Sequence, residues 1–349
     1  MTAPPDTRAA PPLRLLFWET TSRCNLSCRH CRRLDTDEPS ARDDLSTDEA
    51  RRMLDSAATL GRPVVVFSGG EPLLRDDWES LASHVRGLGL AAALATNGTL
   101  VDKPMAGRIA RAGFHRVSIS LDGADAGTHD EFRASAGAFD AAMDGIANLR
   151  CEGVAVQINS TIAAHNVDQL PQFYALARSV GATALHLFLL VPVGCGVQLD
   201  ESHRISPDTV ERVLNWVCER QAEGAVEIRA TCAPHYYRVA AQRGLAVSPR
   251  ARGCLAGTGV VFVSHRGEVF PCGYLPVSCG SVREKELGEI WRTSPVLAEL
   301  RDPSRLGGKC GACGYRALCG GCRARALAAT EDYLAADPAC RYAPPRRGI

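Results

Sequence analysis

Three cysteines in the order Cys24-x3-Cys28-x2-Cys31 follow an apolar run that ends at Trp18. So short a loop cannot close three disulfides, and its three thiolates converge on one point. Thiolates are soft ligands that suit an iron–sulfur cluster or zinc. With three protein ligands, a four-iron cluster keeps one iron open, as it must if it is to bind and react with something else. Zinc in structural sites takes four protein ligands, and the only other donor close by is His30. A zinc loop or an inert thiol cluster is the alternative.

Most of the remaining cysteines lie late in the chain: Cys254 and Cys272, then Cys310-x2-Cys313-x5-Cys319-x2-Cys322, then Cys340. Seven thiolates exceed what one metal needs; two zinc ribbons are one reading. Between the two groups stands Ser68-Gly69-Gly70-Glu71-Pro72. Its glycines let backbone approach a ligand closely, and Glu71 supplies an acceptor.

These residues need a frame. Apolar runs over 13–19, 64–68, 91–96, 116–121, 155–162 and 184–190 read as strands buried on both faces. Ser46-Thr-Asp-Glu49 is a capping box that opens a helix to about Leu60. Further helices are expected over 77–87, 103–111, 139–151 and 168–180, with Gly61, Gly87, Gly113, Gly153 and Gly181 as their stops. Six βα units imply an α/β fold, a parallel sheet closed or partly closed as a barrel, with functional residues after the strand ends. A doubly wound sheet is the runner-up, but a cysteine loop replaces the Gly-rich phosphate loop after strand one. Later come a helix over 207–223, a strand over 226–230 and a hairpin of 260–264 with 268–270. The expected division is a lead-in at 1–12, a core barrel with bridging region at 13–249 and a cysteine-rich domain at 250–349.

With 349 residues, 46% of them apolar, and a net charge of +1, a large core is available and nucleic acid is not the expected partner. No run reaches the roughly 18 apolar residues of a membrane span. Fifteen cysteines without a signal peptide favour metal ligation in the cytoplasm over disulfides.

Cys24-x3-Cys28-x2-Cys31 followed one strand later by Gly69-Gly70-Glu71 resembles the radical SAM enzymes. That resemblance implies a partial (β/α)6 TIM-like barrel whose [4Fe-4S] cluster binds S-adenosylmethionine at its open iron. Reductive cleavage then yields a 5'-deoxyadenosyl radical. It also implies that the Gly-Gly-Glu segment meets the cofactor's amino group, that Ser120 and Asn159 touch its ribose and carboxylate, and that Leu190-Val191 packs on adenine. Asn97 and Asp122 read equally well as turn residues.

The late cysteines resemble the SPASM extension, with one or two auxiliary [4Fe-4S] clusters, although Cys319 and Cys322 stand one residue closer than usual. By resemblance Cys310, Cys313, Cys319 and Cys340 hold a distal cluster. Cys254, Cys272 and Cys322 hold a proximal one whose fourth ligand is Cys232, Cys279 or none. Cys151, Cys195 and Cys218 read as ordinary small residues.

Residues 188–194, 230–238, 253–258, 271–276 and 319–325 resemble in particular the haem b synthases of the alternative haem pathway. That family decarboxylates two propionates of iron-coproporphyrin III to vinyl groups, and an auxiliary cluster could accept each surplus electron. The resemblance implies an iron-porphyrin substrate and an external electron donor such as flavodoxin or ferredoxin. Arg238, Arg323 and Arg325 are then candidates for the carboxylates and His235 for an axial iron ligand, with Cys232 and His235 counted among the catalytic residues. The alternatives are a SPASM maturase of a ribosomally made peptide and, in another class, a non-catalytic electron carrier.

Overall fold

Alternating βα segments fold as they read. In the computed structural model, residues 10–33, 41–199, 201–248 and 251–345 are described. The start of the lead-in and the boundary expected at 249–250 lie outside them. The strands are β1 (Leu15–Glu19), β2 (Val64–Ser68), β3 (Ala91–Thr96), β4 (Arg116–Ser120), β5 (Val156–Ile162), β6 (Ala184–Leu189), β7 (Glu227–Thr231), β8 (Val260–Val263), β9 (Glu268–Phe270) and β10 (Gly280–Ser281). They form one sheet in the order β10-β9-β8-β1-β2-β3-β4-β5-β6-β7. The strands from β8 to β7 in that order run parallel, and β9 and β10 continue antiparallel. The β8–β9 hairpin therefore docks on β1, so the late segment extends the barrel sheet. The curl stays open between β7 and β10 among the described residues.

Helices α1 (Thr47–Ala58), α2 (Trp78–Gly87), α3 (Lys103–Ala112), α4 (Ala126–Arg133), α5 (Ala138–Cys151), α6 (Leu170–Ser179), α7 (Pro207–Glu223) and α8 (His235–Gln242) precede four more in the late segment. The Ser46–Glu49 capping box forms with both of its hydrogen bonds. Gly113, Gly153 and Gly181 take the left-handed conformation after their helices, whereas Gly87 stays helical and Gly89 (φ 71°) makes the stop. Helices α4 and α8 have no counterpart in the sequence reading.

The strands are not buried on both faces. Leu16, Trp18, Phe67, Leu94, Ile119 and Leu185 are each 0% exposed in the core beneath the helices, each worth about 1.5–3 kcal/mol. The alternate positions face inward, and many are only half-buried because no packed layer fills the curl. On β8, β1, β2 and β3 these inward residues include Phe262, Phe17, Val66 and Ala93, with Glu19 and Ser68 at the strand ends. On β4 to β7 most are polar, Phe188 excepted, and Ser120, Asn159, His186 and Arg229 stand in register.

Candidate active site

The cysteine loop leaves the C-terminal end of β1 and is clamped to the turn after β2. Gly70 N–H donates to Thr21 O (2.8 Å) and Glu71 N–H to Arg23 O (2.7 Å). A Cβ on Gly70 would lie 2.2 Å from Arg23 O, and one on Gly69 2.7 Å from Thr21 O. The glycines, expected to admit a ligand, admit the chain's own cysteine loop.

Glu71, expected to face the cofactor, is fully buried. It accepts from Leu73 N–H (3.2 Å), Thr96 Oγ1 (2.7 Å) and Asn97 N–H (2.9 Å), which ties β2 to the end of β3. Asn97 forms the expected turn with Thr99 N–H (2.9 Å), and its Nδ2 also donates to Asn25 Oδ1 (2.9 Å) inside the cysteine loop. Burial pushes the Glu71 carboxyl up to about 7, against the lowering effect of its hydrogen bonds from Asn97 and Thr96. Unfolded, the carboxyl titrates near ~4.3. A raised folded value means that ionising Glu71 costs stability. The cost is absent below the unfolded value, grows as pH rises, and is complete above the folded value. The urea midpoint of the wild type should therefore fall between pH ~5 and ~8. Glu71→Gln turns an NH2 toward a donor, so it should start lower and lose that part of the slope.

Asp122 is more than a turn residue. Its Oδ2 meets Arg133 Nη2 (2.6 Å) and His30 Nε2 (3.0 Å), and its Oδ1 accepts from Thr161 N–H (2.6 Å). Burial alone would raise its pKa; Arg133 and His30 outweigh burial and hold the carboxyl well below the usual range. Arg133 Nη1 also lies 3.6 Å from Cys28 Sγ, and the His30 ring stacks on Phe132 at 4.0 Å. This buried ion pair braces the cysteine loop and commits His30 to Asp122. Arg133 escaped the sequence reading; the one signal for its helix was Asp125, an N-cap that accepts from Thr128 N–H (2.9 Å).

Cys24, Cys28 and Cys31 are half-buried on that loop. Burial pushes Cys24 up to about 11, with Cys28 and Cys31 close enough to add to the shift. Bound iron is what would make such thiols into thiolates. Cys195, exposed as a side chain, donates its N–H to Cys31 O (2.8 Å) and fixes the loop's far end.

Ser120 and Asn159 lie side by side on inward positions of β4 and β5. Val191, in the loop after β6, is 3% exposed and packs with Leu275, Cys322 and Ala324.

That segment sorts its thiols into two sets. Cys232 lies within electrostatic reach of Cys322, Cys272 and Cys254, and Cys272 of Cys254 and Cys322. The neighbours of Cys279 are Ser294 and Arg301. Of the two candidates for a fourth thiol, only Cys232 joins the trio. Its φ of 54° is strained for a non-glycine residue, and Arg325 Nη2 donates to its carbonyl (3.0 Å). Cys310, Cys313, Cys319 and Cys340 line one pocket. Both sets fit iron–sulfur clusters in donor type, number and shared enclosure.

Four expected substrate contacts need correction. His235 is 1% exposed, with Nε2 2.9 Å from Asp337 Oδ2, and it lines the distal thiol cavity. It braces that set and cannot reach a substrate iron. Arg238 forks onto Glu211 at 2.6 and 2.5 Å. Arg323 donates to Tyr333 O (2.8 Å) and Ala335 O (2.7 Å), and Arg325 pairs with Asp337 (3.3 Å). All three arginines are buried as internal braces. Asp337, for which the sequence offers no signal, joins His235 to Arg325 and also accepts from Cys322 N–H (2.7 Å).

A cysteine loop at the mouth of a half-open parallel barrel, with two further thiol sets beside it, defines a protein built for several iron–sulfur clusters. Residues 18–177 match the radical SAM superfamily, and residues 254–322 match the SPASM iron-sulfur cluster-binding domain. The chain is 45% identical to an AdoMet-dependent heme synthase of Methanosarcina barkeri, covering 96% of this chain and 98% of that protein. It is 42% identical to one of Oleidesulfovibrio alaskensis, covering 97% and 89%. Among solved structures, Streptococcus suis SuiB bound to the precursor peptide SuiA matches in fold, with TM-score 0.76 and 17% identity over 95% of this chain and 76% of that one. The chain belongs to the radical SAM superfamily, in the branch that carries a SPASM domain. It is an enzyme that uses S-adenosylmethionine and [4Fe-4S] clusters, which removes the electron-carrier and zinc readings. Among the described residues no helix is long and apolar enough to cross a membrane.

Proposed function

We propose that this enzyme decarboxylates two propionates of iron-coproporphyrin III to vinyl groups, giving haem b, with an external donor such as flavodoxin or ferredoxin supplying electrons. The observation that carries the reading is 45% identity, nearly end to end, to a protein named a heme synthase. Bound cluster and S-adenosylmethionine supply a 5'-deoxyadenosyl radical able to take hydrogen from an unactivated propionate β-carbon.

The chain's own residues then have to hold a flat apolar ring with charged edges. The interior of the curl suits that task, being mostly apolar on β8 to β3 and mostly polar on β4 to β7. Beside the cysteine loop, an open pocket is walled by Phe262 and Phe270 and contains Arg32, with Glu19 also in its lining. Its guanidinium lies 4.4 Å over the Phe262 ring and donates to Ser68 Oγ (3.2 Å). A propionate on an aromatic ring matches that pairing, so Arg32 takes the role first given to Arg238, Arg323 and Arg325.

Cys232 would complete the proximal set with Cys254, Cys272 and Cys322, as Cys340 completes the distal one. Cys232→Ala should lower the iron content, keep deoxyadenosine formation and lose product. Full iron content with normal turnover would remove Cys232 from the ligands.

The deciding assay is anaerobic incubation with iron-coproporphyrin III, S-adenosylmethionine and reductant, followed by mass analysis. Two successive losses of carbon dioxide, each with two hydrogens, are expected. An untouched porphyrin alongside steady deoxyadenosine production would move the assignment to a maturase of a ribosomally made peptide.

A further inference from the structure

The polar side of the curl carries a chain of hydrogen bonds whose polarity is set at one end. Gln157 is 7% exposed and faces inward on β5. Arg116 Nη1 lies 3.1 Å from its amide oxygen. A guanidinium has donors and no acceptor, so the Gln157 atom facing it must be Oε1 and the amide cannot be flipped. Its Nε2 therefore has two hydrogens to give. One goes to Asn159 Oδ1 (2.6 Å) and the other to His186 Nδ1 (3.1 Å). The Asn159 carbonyl is thus consumed, which leaves its NH2 as the free end. The His186 Nδ1 lone pair is consumed too, which places the ring proton on Nε2.

That Nε2 is shut off from water and has no partner. A buried donor left unmet is costly, and such groups in folded proteins call for an explanation. Burial, with Arg229 and Arg116 nearby, lowers the His186 pKa to about 4 despite the opposing charge of Glu227. The ring is neutral in use and donates through a single atom. Arg116 is itself anchored by Glu227 Oε2 (3.2 Å) on β7. Ser120, Asn159 and His186 are neighbours in one row across β4, β5 and β6, toward the strand ends where the cysteine loop sits.

We propose that Arg116 and Gln157 are positioning residues that lock Asn159 Nδ2 and His186 Nε2 as paired donors for one oxygen acceptor of a bound ligand. Hydroxyl and carboxylate oxygens have that chemistry. S-adenosylmethionine carries both and a porphyrin propionate carries one. The cofactor half of this inference rests only on membership of the family, and the substrate half rests on the proposed reaction.

Gln157→Glu tests it at almost constant shape. A carboxylate held beside Arg116 only accepts. Asn159 would turn its NH2 toward it and present a carbonyl to the ligand. His186 would take a proton on Nδ1 and present a bare Nε2. Both free ends then change from donor to acceptor. In the anaerobically prepared, cluster-loaded enzyme, 15N spectra of labelled histidine should place the wild-type His186 proton on Nε2. In the variant, Nδ1 should be protonated.

S-adenosylmethionine binding is read by calorimetry and iron-coproporphyrin III binding by optical titration. A loss of ~10-fold or more is expected for the ligand that supplies the oxygen. Weakening of the cofactor alone, the porphyrin alone or both supports the lock and names the source. A wild-type ring protonated on Nδ1 overturns it, as does a variant that binds both ligands normally. If Gln157→Glu does not fold, Arg116→Gln, which frees the amide to flip, is read by the same measurements. A failed porphyrin assay with an intact cofactor effect would sink the proposed reaction and leave the lock standing.

Discussion

Gly70→Ala should leave a folded protein that no longer cleaves S-adenosylmethionine. The added Cβ would sit 2.2 Å from Arg23 O and 2.6 Å from Ser22 O. Both are backbone atoms, so no flexible side chain can move aside. Strand β2 is held on both edges by β1 and β3, and the loop must be the part that shifts. Arg23 is next to Cys24, and a displacement of an ångström at a reacting centre can cost ~100-fold in rate. The expected readings are a low iron content, a weak signal from the reduced radical cluster and deoxyadenosine formation down by ~100-fold or more, with the SPASM clusters retained. Gly87→Ala is the control, since it lies in α2 with nothing within 4 Å of its added Cβ. It should gain about 1 kcal/mol and leave activity alone. Wild-type deoxyadenosine rates in Gly70→Ala would show that the clamp between glycines and cysteine loop is dispensable.

Asp122→Asn should be the most destabilising single exchange near the site. It leaves Arg133 charged and buried beside a neutral amide that cannot compensate it. Breaking a buried pair in this way costs about 3–5 kcal/mol. The loss should appear as a lower urea midpoint and, because Arg133 also meets Cys28, as a labile radical cluster. The double variant Asp122→Leu with Arg133→Met should recover part of the loss, since no charge is then stranded. The carboxyl's folded pKa is depressed, so its contribution is complete above the unfolded value of about 3.9. It disappears only as pH falls through the lower folded value. The gap between variant and wild type should therefore remain open through neutral and mildly alkaline pH. A gap that vanished at mildly alkaline pH would mean that the pair is not ionised as described.

Much of the frame was legible because its causes are local. The capping box at Ser46 and Glu49 is a contact between residues three apart, and the helix Pro207–Glu223 starts at a Ser-Pro pair and stops at Gly224. The three cysteines after β1 share one loop, so their meeting needs no tertiary information. What was misread had partners far away in the chain. His235 looked free until Asp337 closed on it, and Arg238 looked available until Glu211 did. The glycines of Gly69-Gly70 looked ready for a ligand, and the nearest backbone was 47 residues earlier, at Arg23.

By itself, then, the sequence determined the thiol chemistry, the βα alternation and the family, since ligand type, spacing and period are properties of short stretches. The tertiary structure alone decided which thiol joins Cys254, Cys272 and Cys322. It also decided that β8 docks on β1, and which polar groups are spent as braces and which stay unmet. Those outcomes turn on contacts such as Glu19 with His265, 246 residues apart. The periodicity of a segment specifies which of its faces is buried, but the partner that covers a buried polar group is chosen by the fold as a whole.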